Sequence, residues 1–433
     1  MNCLKSLEQK VLNYLDSKRD EIIEFLRKLV SIPSVVGEEL RAQEFMYEKF
    51  KSMNLEVDMW EPDVNELRKH PAFFETTSFT KYGYKNRPNV IGKLKGKGGG
   101  RSIFLCGHID VVSPEPINAW TYPPWSGEVV NGRMYGRGTA DQKGGIASMT
   151  YALQSIIDLG IKLKGDVLIG TTIEEEDGGI GGALATVLKG YRADAAILTE
   201  PGGNQIRVAS AGVLYFRVKI MGKTAHAGIA HLGVNAIDKA FKIYSALMKL
   251  NEERQKRIRY EYAENEAPHM KGRATTINIG VIRGGDWPST VAGWAELECR
   301  IGWPPGESIN DVKREIENTI MEASKEDPWL KDHPPKIEWF GWRAEPAEQD
   351  VNHPIVRLVK SIGEEILEEK IIFTGGSVGL DTRHFILYGR MPAITFGPKG
   401  GNLHGIDEYV ELNSVIKTSK VLALTLLRWC GVA

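Results

Sequence analysis

The feature that most constrains this chain is an alternation of apolar runs and helical patterns through its first 200 residues. Apolar runs indicate strands near residue 90 and at 102–110, 166–176 and 194–203, and helical patterns occupy 144–160 and 181–190. Strands that alternate with helices are typical of a layered α/β domain. We therefore predict a mixed, largely parallel sheet flanked by helices.

A different pattern begins after residue 211. Residues 212–222 alternate apolar and polar side chains with period two, which is typical of a strand with one solvated face. Further elements are expected as a helix at 235–257, strands at 275–282 and 295–303, a helix at 311–324 and a strand at 335–346. This β-α-β-β-α-β order is that of a split βαβ sandwich. We predict that 212–346 is an α+β domain inserted into a first domain made of 1–211 and 347–433.

Composition excludes several classes of protein. The 433 residues carry 55 basic and 56 acidic side chains, so no basic surplus points to a nucleic-acid partner. No run of about 18 apolar residues predicts a membrane span. The four cysteines are scattered and form no C-x-x-C pair, which suits a reducing compartment. We expect a cytoplasmic protein that has neither a nucleic acid nor a membrane as its partner.

Histidine and carboxylate residues recur just past the expected strand ends. They are His108, Asp110, Glu174, Glu175, Glu176 and Glu200, with Asp141 in a glycine-rich turn and His404 in a later loop. In open α/β sheets, ligands bind at the carboxyl ends of strands. Crowded carboxylates repel one another, and a divalent cation removes that penalty. This mixture of ligands suits Zn²⁺ or a related first-row ion, and Asp110 is placed to accept the second ring N–H of His108.

A serine hydrolase is an alternative reading of the same chain. Residues 375–379 match G-x-S-x-G, the pattern of a nucleophile elbow, and Ser377, Asp381 and His404 could supply a triad. That reading leaves the acidic residues at 141, 174–176 and 200 without a role. We interpret Gly375, Gly376 and Ser377 as a turn whose N–H groups face a ligand. A solvated charge run is the alternative for the three consecutive glutamates.

The motifs together resemble the aminoacylase/carboxypeptidase family of dizinc hydrolases, which includes acetylornithine deacetylase and succinyl-diaminopimelate desuccinylase. The resemblance is carried by GHIDVV (107–112), WSGEVVNGRMYGRGTADQKGG (125–145), EEEDGG (174–179), TEP (199–201), GKTAHAG with GVNAI (222–237), LDTRHF (380–385) and HGIDEYV (404–410). It implies a dizinc exopeptidase-like fold in which the inserted domain is a lid and dimerisation domain.

The resemblance also implies a role for each matching residue. Asp141 would bridge two zinc ions, with cobalt or manganese as possible replacements. His108 and Glu200 would complete one ion's ligands, and Glu176 and His404 the other's. Glu175 would be the general base and Asp110 the partner that orients His108. The peptide bond from Asp141 to Gln142 would be cis.

Further roles implied by the resemblance concern the substrate. His226 would reach the site of a neighbouring subunit and stabilise an oxyanion, which implies a homodimer formed through the lid. Arg300 is a candidate for binding a substrate carboxylate, and Gly376, Ser377 and Arg383 are further candidates. The function expected is deacylation of an N-acyl amino acid, with cleavage of a short peptide as the alternative. A non-catalytic protein that retains metal and binds a ligand is a third hypothesis.

Three departures from the family pattern bear on substrate choice. Residues 289–292 read STVA where many relatives have N-x-x-P, and His231 stands where many have proline. A charged insertion occupies 261–274 of the expected lid. These changes leave the expected metal ligands intact.

Overall fold

The computed structural model describes residues 2–433, except for the side chains of residues 2 and 3. The helices are α1 (Asn2–Ser17), α2 (Arg19–Val30), α3 (Leu40–Ser52), α4 (Val64–Arg68), α5 (Thr77–Tyr82), α6 (Gly144–Asp158), α7 (Ala185–Leu188), α8 (Ala236–Arg257), α9 (Glu261–Glu264), α10 (Ile309–Lys325), α11 (Pro328–Asp332), α12 (Pro354–Leu367) and α13 (Leu412–Cys430).

The strands are shorter and more numerous. They are β1 (Glu56–Trp60), β2 (Asn89–Leu94), β3 (Ile103–His108), β4 (Glu128–Val130), β5 (Arg133–Tyr135), β6 (Val167–Thr172), β7 (Ala196–Leu198), β8 (Gln205–Ser210), β9 (Gly212–Met221), β10 (Thr276–Gly284), β11 (Trp294–Trp303), β12 (Lys336–Ala344), β13 (Ala347–Glu348), β14 (Ile372–Gly375), β15 (Ala393–Thr395), β16 (Gly400–Gly401) and β17 (Tyr409–Glu411).

The chain divides into two compact units. Unit 1 comprises Met1–Val208, Glu348–Phe373 and Leu380–Ala433, and unit 2 comprises Ala209–Ala347 with Thr374–Gly379. Unit 1 has a main sheet and a smaller sheet of order β16-β17-β5-β4, unit 2 has one sheet, and each unit has its own apolar core.

The main sheet of unit 1 is mixed, with a parallel centre. Its strands run in the order β1-β2-β6-β3-β7-β15-β8, and the short strands β13 and β14 continue the β8 edge. The neighbours β6, β3, β7 and β15 are parallel, whereas β1, β2 and β8 pair antiparallel to theirs. The prediction of a mixed, largely parallel sheet flanked by helices is confirmed.

Helices cover the central strands of this sheet. α6 is apolar over most of its surface, and it packs against both α13 and β3. A separate cluster of buried side chains, including Phe104, Leu168 and Phe385, also packs around these strands. Strands buried on both faces read as continuous apolar runs, which is why β3 and β6 were visible in the sequence.

Unit 2 is an antiparallel four-stranded sheet with two long helices. The sheet order is β10-β11-β9-β12, and α8 and α10 contribute Leu247 and Ile316 to the core beneath it. Its chain order of β9, α8, β10, β11, α10, β12 is the predicted β-α-β-β-α-β order.

Two further properties of the described chain bear on earlier expectations. Cys106, Cys299 and Cys430 are free and buried, and the Cys3 side chain lies outside the described residues. None of the helices in residues 2–433 combines the length and apolar character that a membrane crossing requires.

Candidate metal centre

Three parallel strands of unit 1 bring their polar residues to one edge of the sheet. His108 is the last residue of β3, the three glutamates at 174–176 follow the end of β6, and Glu200 follows β7. Because β6, β3 and β7 are adjacent and parallel, their carboxyl ends meet. The strand at 166–176 is shorter than expected, because it ends at Thr172 and the glutamates lie in a turn.

Asp141 reaches the same edge from an irregular turn ahead of α6. The peptide bond between Asp141 and Gln142 is cis, as the resemblance implies. The buried carboxylate of Glu408 accepts hydrogen bonds of 3.0 Å from the backbone N–H groups of Gly138, Ala140 and Asp141. Arg137 donates to Glu408 at 2.6 Å and to the backbone carbonyl of His404 at 3.1 Å. One buried ion pair therefore holds both the Asp141 turn and the His404 loop.

The two carboxylate oxygens of Asp141 face two different histidines. Oδ1 lies 3.0 Å from Nε2 of His108, which is itself 3.5 Å from Oε1 of Glu200. Oδ2 lies 3.5 Å from Nε2 of His404, which is 3.0 Å from Oε2 of Glu176. The arrangement is two His–Glu pairs joined by one shared aspartate.

The second ring nitrogen of His108 is held by Asp110, but not by the atom that the sequence suggested. Nδ1 of His108 donates to the backbone carbonyl of Asp110 at 2.9 Å, and the nearest carboxylate oxygen of Asp110 is 3.6 Å away. The Asp110 carboxylate instead accepts from the N–H groups of Glu175 and Glu176, at 3.2 and 3.1 Å. Asp110 thus orients the histidine through its main chain and the glutamate turn through its side chain.

These side chains fit a divalent cation. Because Nδ1 of His108 donates to a carbonyl, a neutral ring turns the lone pair of Nε2 towards the Asp141 carboxylate. Oε1 of Glu176 and Oε1 of Glu200 are buried without a hydrogen-bond partner. Ligand atoms of His108, Glu175 and Glu200, and of His108, Asp141 and Glu176, lie within 4.8 Å of one another. Acceptors that face acceptors in a buried site require a cation or a proton between them.

The electrostatics point the same way. Burial raises the pKa of Glu200 to about 7, although the His108 ring acts to lower it. Burial also raises the pKa of Glu175 well above its usual value, and the negative charges of Glu200 and Asp381 raise it further. Hydrogen bonds to Asp141 and Glu176 raise the pKa of His404 to about 10. The carboxylates lie too close together to ionise at no cost, and bound cations would remove that cost.

The candidates in unit 2 are placed differently. His226 is exposed, and its Nδ1 accepts a 3.0 Å hydrogen bond from the N–H of Gly228. Arg300 is half-buried on β11, opposite Tyr215 of β9. Gly376 has a φ of +88°, and a Cβ there would lie 2.7 Å from the Tyr260 ring. The hydroxyl of Ser377 donates to the carboxylate of Glu266, in the charged insertion.

Two residues of the LDTRHF motif bear on the remaining expectations. Arg383 is buried in unit 1 and donates to the backbone carbonyls of Leu380 and Gly178, so it supports the turn after the glutamates. Oδ1 of Asp381 lies 3.8 Å from the ring of His384, while His404 faces Glu176 and Asp141. The contacts of His404 commit the histidine of the alternative triad to other partners, whereas Oδ1 of Asp381 is buried without a hydrogen-bond partner. The individual roles of all these residues remain predictions.

Sequence reasoning missed several residues that surround the centre. Glu408 and Arg137 lie inside motifs that were recognised, but neither was assigned a role. Glu174 was noted only as one member of a glutamate run, and its partner Arg87 carries no motif at all. Their contacts join segments that are far apart in the chain, so no local pattern marked them.

Comparison with known proteins agrees with this geometry. The chain is 28% identical over 449 residues to N-formyl-4-amino-5-aminomethyl-2-methylpyrimidine deformylase of Halalkalibacterium halodurans, covering 98% of each chain. It is 28% identical over 354 residues to acetylornithine deacetylase of Vibrio cholerae, covering 80% of this chain and 85% of the relative. Among solved structures, a tripeptidase of Staphylococcus aureus matches with a TM-score of 0.71 at 22% identity, over 94% of this chain and 98% of that one. Residues 104–428 match the model of Peptidase family M20/M25/M40, and the chain belongs to this family of metal-dependent hydrolases that act on amide bonds.

Proposed function

We propose that this chain removes a short acyl group from a small N-acylated amine, with N-acyl amino acids as the substrate class. The observation that carries the proposal is the shared Asp141, whose two oxygens each face one His–Glu pair, with Glu175 buried beside them. The reaction adds water across the amide bond and yields a carboxylic acid and an amine. The names of the two relatives, one a deformylase and one a deacetylase, support a short acyl group.

The residues around the centre divide into those that hold cations and those that move protons. His108 and Glu200 would hold one cation, Glu176 and His404 the other, and Asp141 both. When bound, the cations polarise the amide carbonyl and make water a stronger acid. Glu175 takes a proton from the attacking water and delivers it to the departing amine nitrogen. The Asp110 carboxylate fixes the backbone of Glu175 and Glu176 by accepting hydrogen bonds from their N–H groups.

Zn²⁺ is the proposed cation, with Co²⁺ or Mn²⁺ as replacements. The donors are two imidazoles and three carboxylates, and no cysteine thiolate takes part. Burial raises the pKa of the Cys106 thiol, the cysteine nearest in sequence to His108, so it stays protonated.

We further propose that the protein works as a homodimer joined through unit 2. β10 is an edge strand of the unit 2 sheet, and an open edge is a template for association. Ile282 on β10, Phe241 on α8 and the nearby Trp287 are each at least half exposed to solvent. The partner subunit's His226 would then supply a donor to the developing oxyanion.

A substrate panel on metal-reconstituted protein tests the proposal. The protein is stripped with a chelator, loaded with Zn²⁺, Co²⁺ or Mn²⁺, and assayed on four classes of compound. These are N-formyl and N-acetyl amino acids, N-succinyl amino acids, an N-formylated aminomethylpyrimidine, and di- and tripeptides. We expect turnover of at least one N-acyl compound and none without metal.

Matched variants separate the alternatives. Glu175→Gln should lower kcat by about 10²–10⁴-fold while the protein still binds two cations, because general-base catalysis contributes about that much. Turnover that survives in Glu175→Gln would exclude the assigned base. Activity that resists the chelator but is lost in Ser377→Ala would favour the serine hydrolase. Binding of metal without any turnover would favour a non-catalytic protein, and turnover of peptides alone would favour a peptidase.

A further inference from the structure

Glu174, the residue directly before the proposed base, has a conformation that its own side chain must stabilise. It is fully buried, and its φ of +66° lies in the left-handed region that residues other than glycine seldom adopt. Neither the metal cluster nor the proposed reaction uses its carboxylate. A buried, strained carboxylate beside the two functional glutamates therefore calls for a physical explanation.

Both oxygens of the Glu174 carboxylate accept hydrogen bonds, and most of the donors come from a separate part of the chain. Oε1 accepts hydrogen bonds of 2.6 Å from the hydroxyls of Thr76 and Ser78. Oε2 accepts from the hydroxyl of Tyr84 at 2.8 Å and from the N–H of Gly181 at 2.7 Å. Three of these four donors are side chains at or near the short helix α5, about 90 to 100 residues earlier in the chain. We call Thr76, Ser78, Tyr84 and Arg87 the Glu174 cradle.

Arg87 supplies the positive charge of this cradle. Its guanidinium is buried, donates to both oxygens of Glu39 at 2.9 and 2.7 Å, and lies 3.5 Å from Oε1 of Glu174. One guanidinium, that of Arg87, thus faces the two buried carboxylates of Glu39 and Glu174. Because a buried carboxylate without a partner is strongly destabilising, the Arg87 guanidinium stabilises both Glu39 and Glu174 inside the protein.

The far side of the same turn is held independently. The Asp110 carboxylate accepts from the N–H groups of Glu175 and Glu176, and the carbonyl of Gly178 accepts from Arg383 and His384. A Cβ at Gly181 would come within 2.3 Å of the Tyr84 ring, so the cradle also packs tightly against the end of the turn. The turn is held at both ends, and the side chains of Glu175 and Glu176 lie between these points.

We propose that Glu174 is a positioning residue for the reaction, and that the cradle fixes the direction in which Glu175 and Glu176 point. This inference rests on the proposed roles of those two residues. If the Glu174 carboxylate is released, the left-handed residue keeps only the main-chain hydrogen bonds that its carbonyl accepts from Asp177 and Gly179, and its relaxation would move both glutamates. A displacement of about 1 Å can cost about 10²-fold in rate, so the effect should be large for residues that touch no substrate.

Variants of the cradle test this with the full-length protein. Glu174→Gln keeps the size of the side chain, Thr76→Val and Tyr84→Phe each remove one donor, and Thr76→Ser keeps the hydroxyl. We expect kcat to fall by about 10–100-fold in the first three with KM within about twofold, and Thr76→Ser to restore it. Thr77→Val and Tyr82→Phe are matched controls, because both side chains are exposed on the same helix and the hydrogen bonds to Glu174 come from other residues.

A readout that is independent of turnover is the affinity for cobalt. Chelator competition should show that the first Co²⁺ binds as in the wild type and the second binds about tenfold more weakly, because Glu176 has moved. The proposal is overturned if melting temperatures fall while kcat and both cobalt affinities of the folded variants stay within twofold of the wild type. Should Glu174→Gln fail to fold, Thr76→Val and Tyr84→Phe decide the question by the same criteria.

The result also separates this inference from the proposed function. If Glu175→Gln keeps its turnover but Thr76→Val loses affinity for the second cobalt ion, the assigned base is wrong and the cradle still positions a ligand. If Glu175→Gln is inactive but the cradle variants match the wild type in kcat and cobalt binding, the proposed function stands and the cradle has only a structural role.

Discussion

Three candidate residues of unit 1, His108, Glu175 and Glu200, and the candidate His226 of unit 2 lie in opposite environments. In unit 1, His108, Glu175 and Glu200 are buried, and the carboxylate of Asp110, which lies 65 residues before Glu175, holds the turn that carries Glu175. In unit 2, His226 is exposed, and its ring is engaged by the N–H of a residue two positions later. The turn that carries Glu175 is oriented by a contact from elsewhere in its unit, whereas the His226 ring is oriented only locally.

This contrast suggests what each set needs in order to work. A buried cluster of carboxylates and imidazoles needs bound cations or protons, because its ionised carboxylates repel one another. An exposed histidine needs a surface that desolvates it before it can stabilise an oxyanion strongly. Removing a residue of unit 1 should therefore change metal binding, while removing His226 should change turnover alone and only through association between copies.

The largest effect should follow Asp141→Asn. An amide offers one acceptor oxygen in place of two, so it cannot serve two cations at once. We expect the bound metal to fall from two ions to one or none, and turnover to fall by about 10³-fold or more, since several kcal/mol of charge stabilisation is lost. Metal content by elemental analysis and initial rates on the best substrate check this.

Asp16→Asn is a matched control for that experiment. Asp16 is a surface aspartate paired with Lys420 at 2.7 Å, and its removal should leave both metal content and rate unchanged. If Asp141→Asn retains two cations, Asp141 is not the shared ligand. The expectation that residues of unit 1 act through metal binding would then also be contradicted.

The next largest effect is expected for His226→Ala. Removal of one oxyanion donor typically costs about 10²–10³-fold in kcat. Because His226 is exposed, the variant should fold, bind two cations and keep its melting temperature. Rates, metal content and thermal unfolding together check this.

Mixing two inactive variants shows whether the histidine acts across subunits. In a mixed dimer of His226→Ala and Glu175→Gln chains, one site has both an intact base and the partner's His226. Random exchange should then restore about a quarter of the wild-type activity, since half of the dimers are mixed and each has one competent site. No recovery after exchange would place the action of His226 within its own chain, or remove it from the reaction.

The parts of the site that the sequence predicted are those determined by neighbouring strands. His108 and Glu200 follow apolar runs that form adjacent parallel strands, so their proximity follows from the topology alone. The topology did not predict which oxygen accepts the hydrogen bond from Nδ1 of His108. A period-two pattern places His108 and Asp110 on one side of the chain, but it does not distinguish a carboxylate from the backbone carbonyl beside it.

The supports of the site were not predictable because they depend on long-range contacts without local periodicity. Thr76 and Tyr84 belong to a segment of short helices and loops, and their contact with Glu174 closes a loop of 90 residues or more. Strands β4, β5, β16 and β17 have two or three residues each, which is too short for a pattern to appear. Glu408 therefore had no predicted strand to locate it near Asp141.

A moderate effect is expected for Glu408→Gln. The wild-type carboxylate accepts from three backbone N–H groups and from Arg137, and an amide must point its NH₂ at some of these donors. Loss of such a supporting partner typically weakens metal binding by about 10–100-fold. Unfolding free energy should also fall by about 1–3 kcal/mol, because buried donors are left without an acceptor. Zinc titration and denaturant unfolding of the metal-free protein check this.

Glu411→Gln is the control, since Glu411 is partly exposed and lies 3.9 Å from Arg133. Zinc affinity unchanged in Glu408→Gln would mean that the buried supports of unit 1 serve stability alone.

The smallest effect on the single chain is expected for Ile282→Asp in unit 2. Ile282 is half exposed on β10, so its replacement should change the unfolding free energy of one subunit by about 0.5 kcal/mol or less. The register of β10 against β11 shifts between Ile279 and Val281, so association through this edge depends on apolar side chains more than on a continuous ladder. A buried aspartate without a partner would then oppose the dimer strongly, and light scattering at increasing protein concentration should show monomers.

Thr276→Asp is the control, because Thr276 is also exposed on β10 but lies at its other end. If Ile282→Asp is monomeric and fully active, His226 does not act in trans. If it is monomeric and loses as much kcat as His226→Ala, while both metal ions stay bound, the exposed histidine depends on the partner subunit, as the contrast between the units requires.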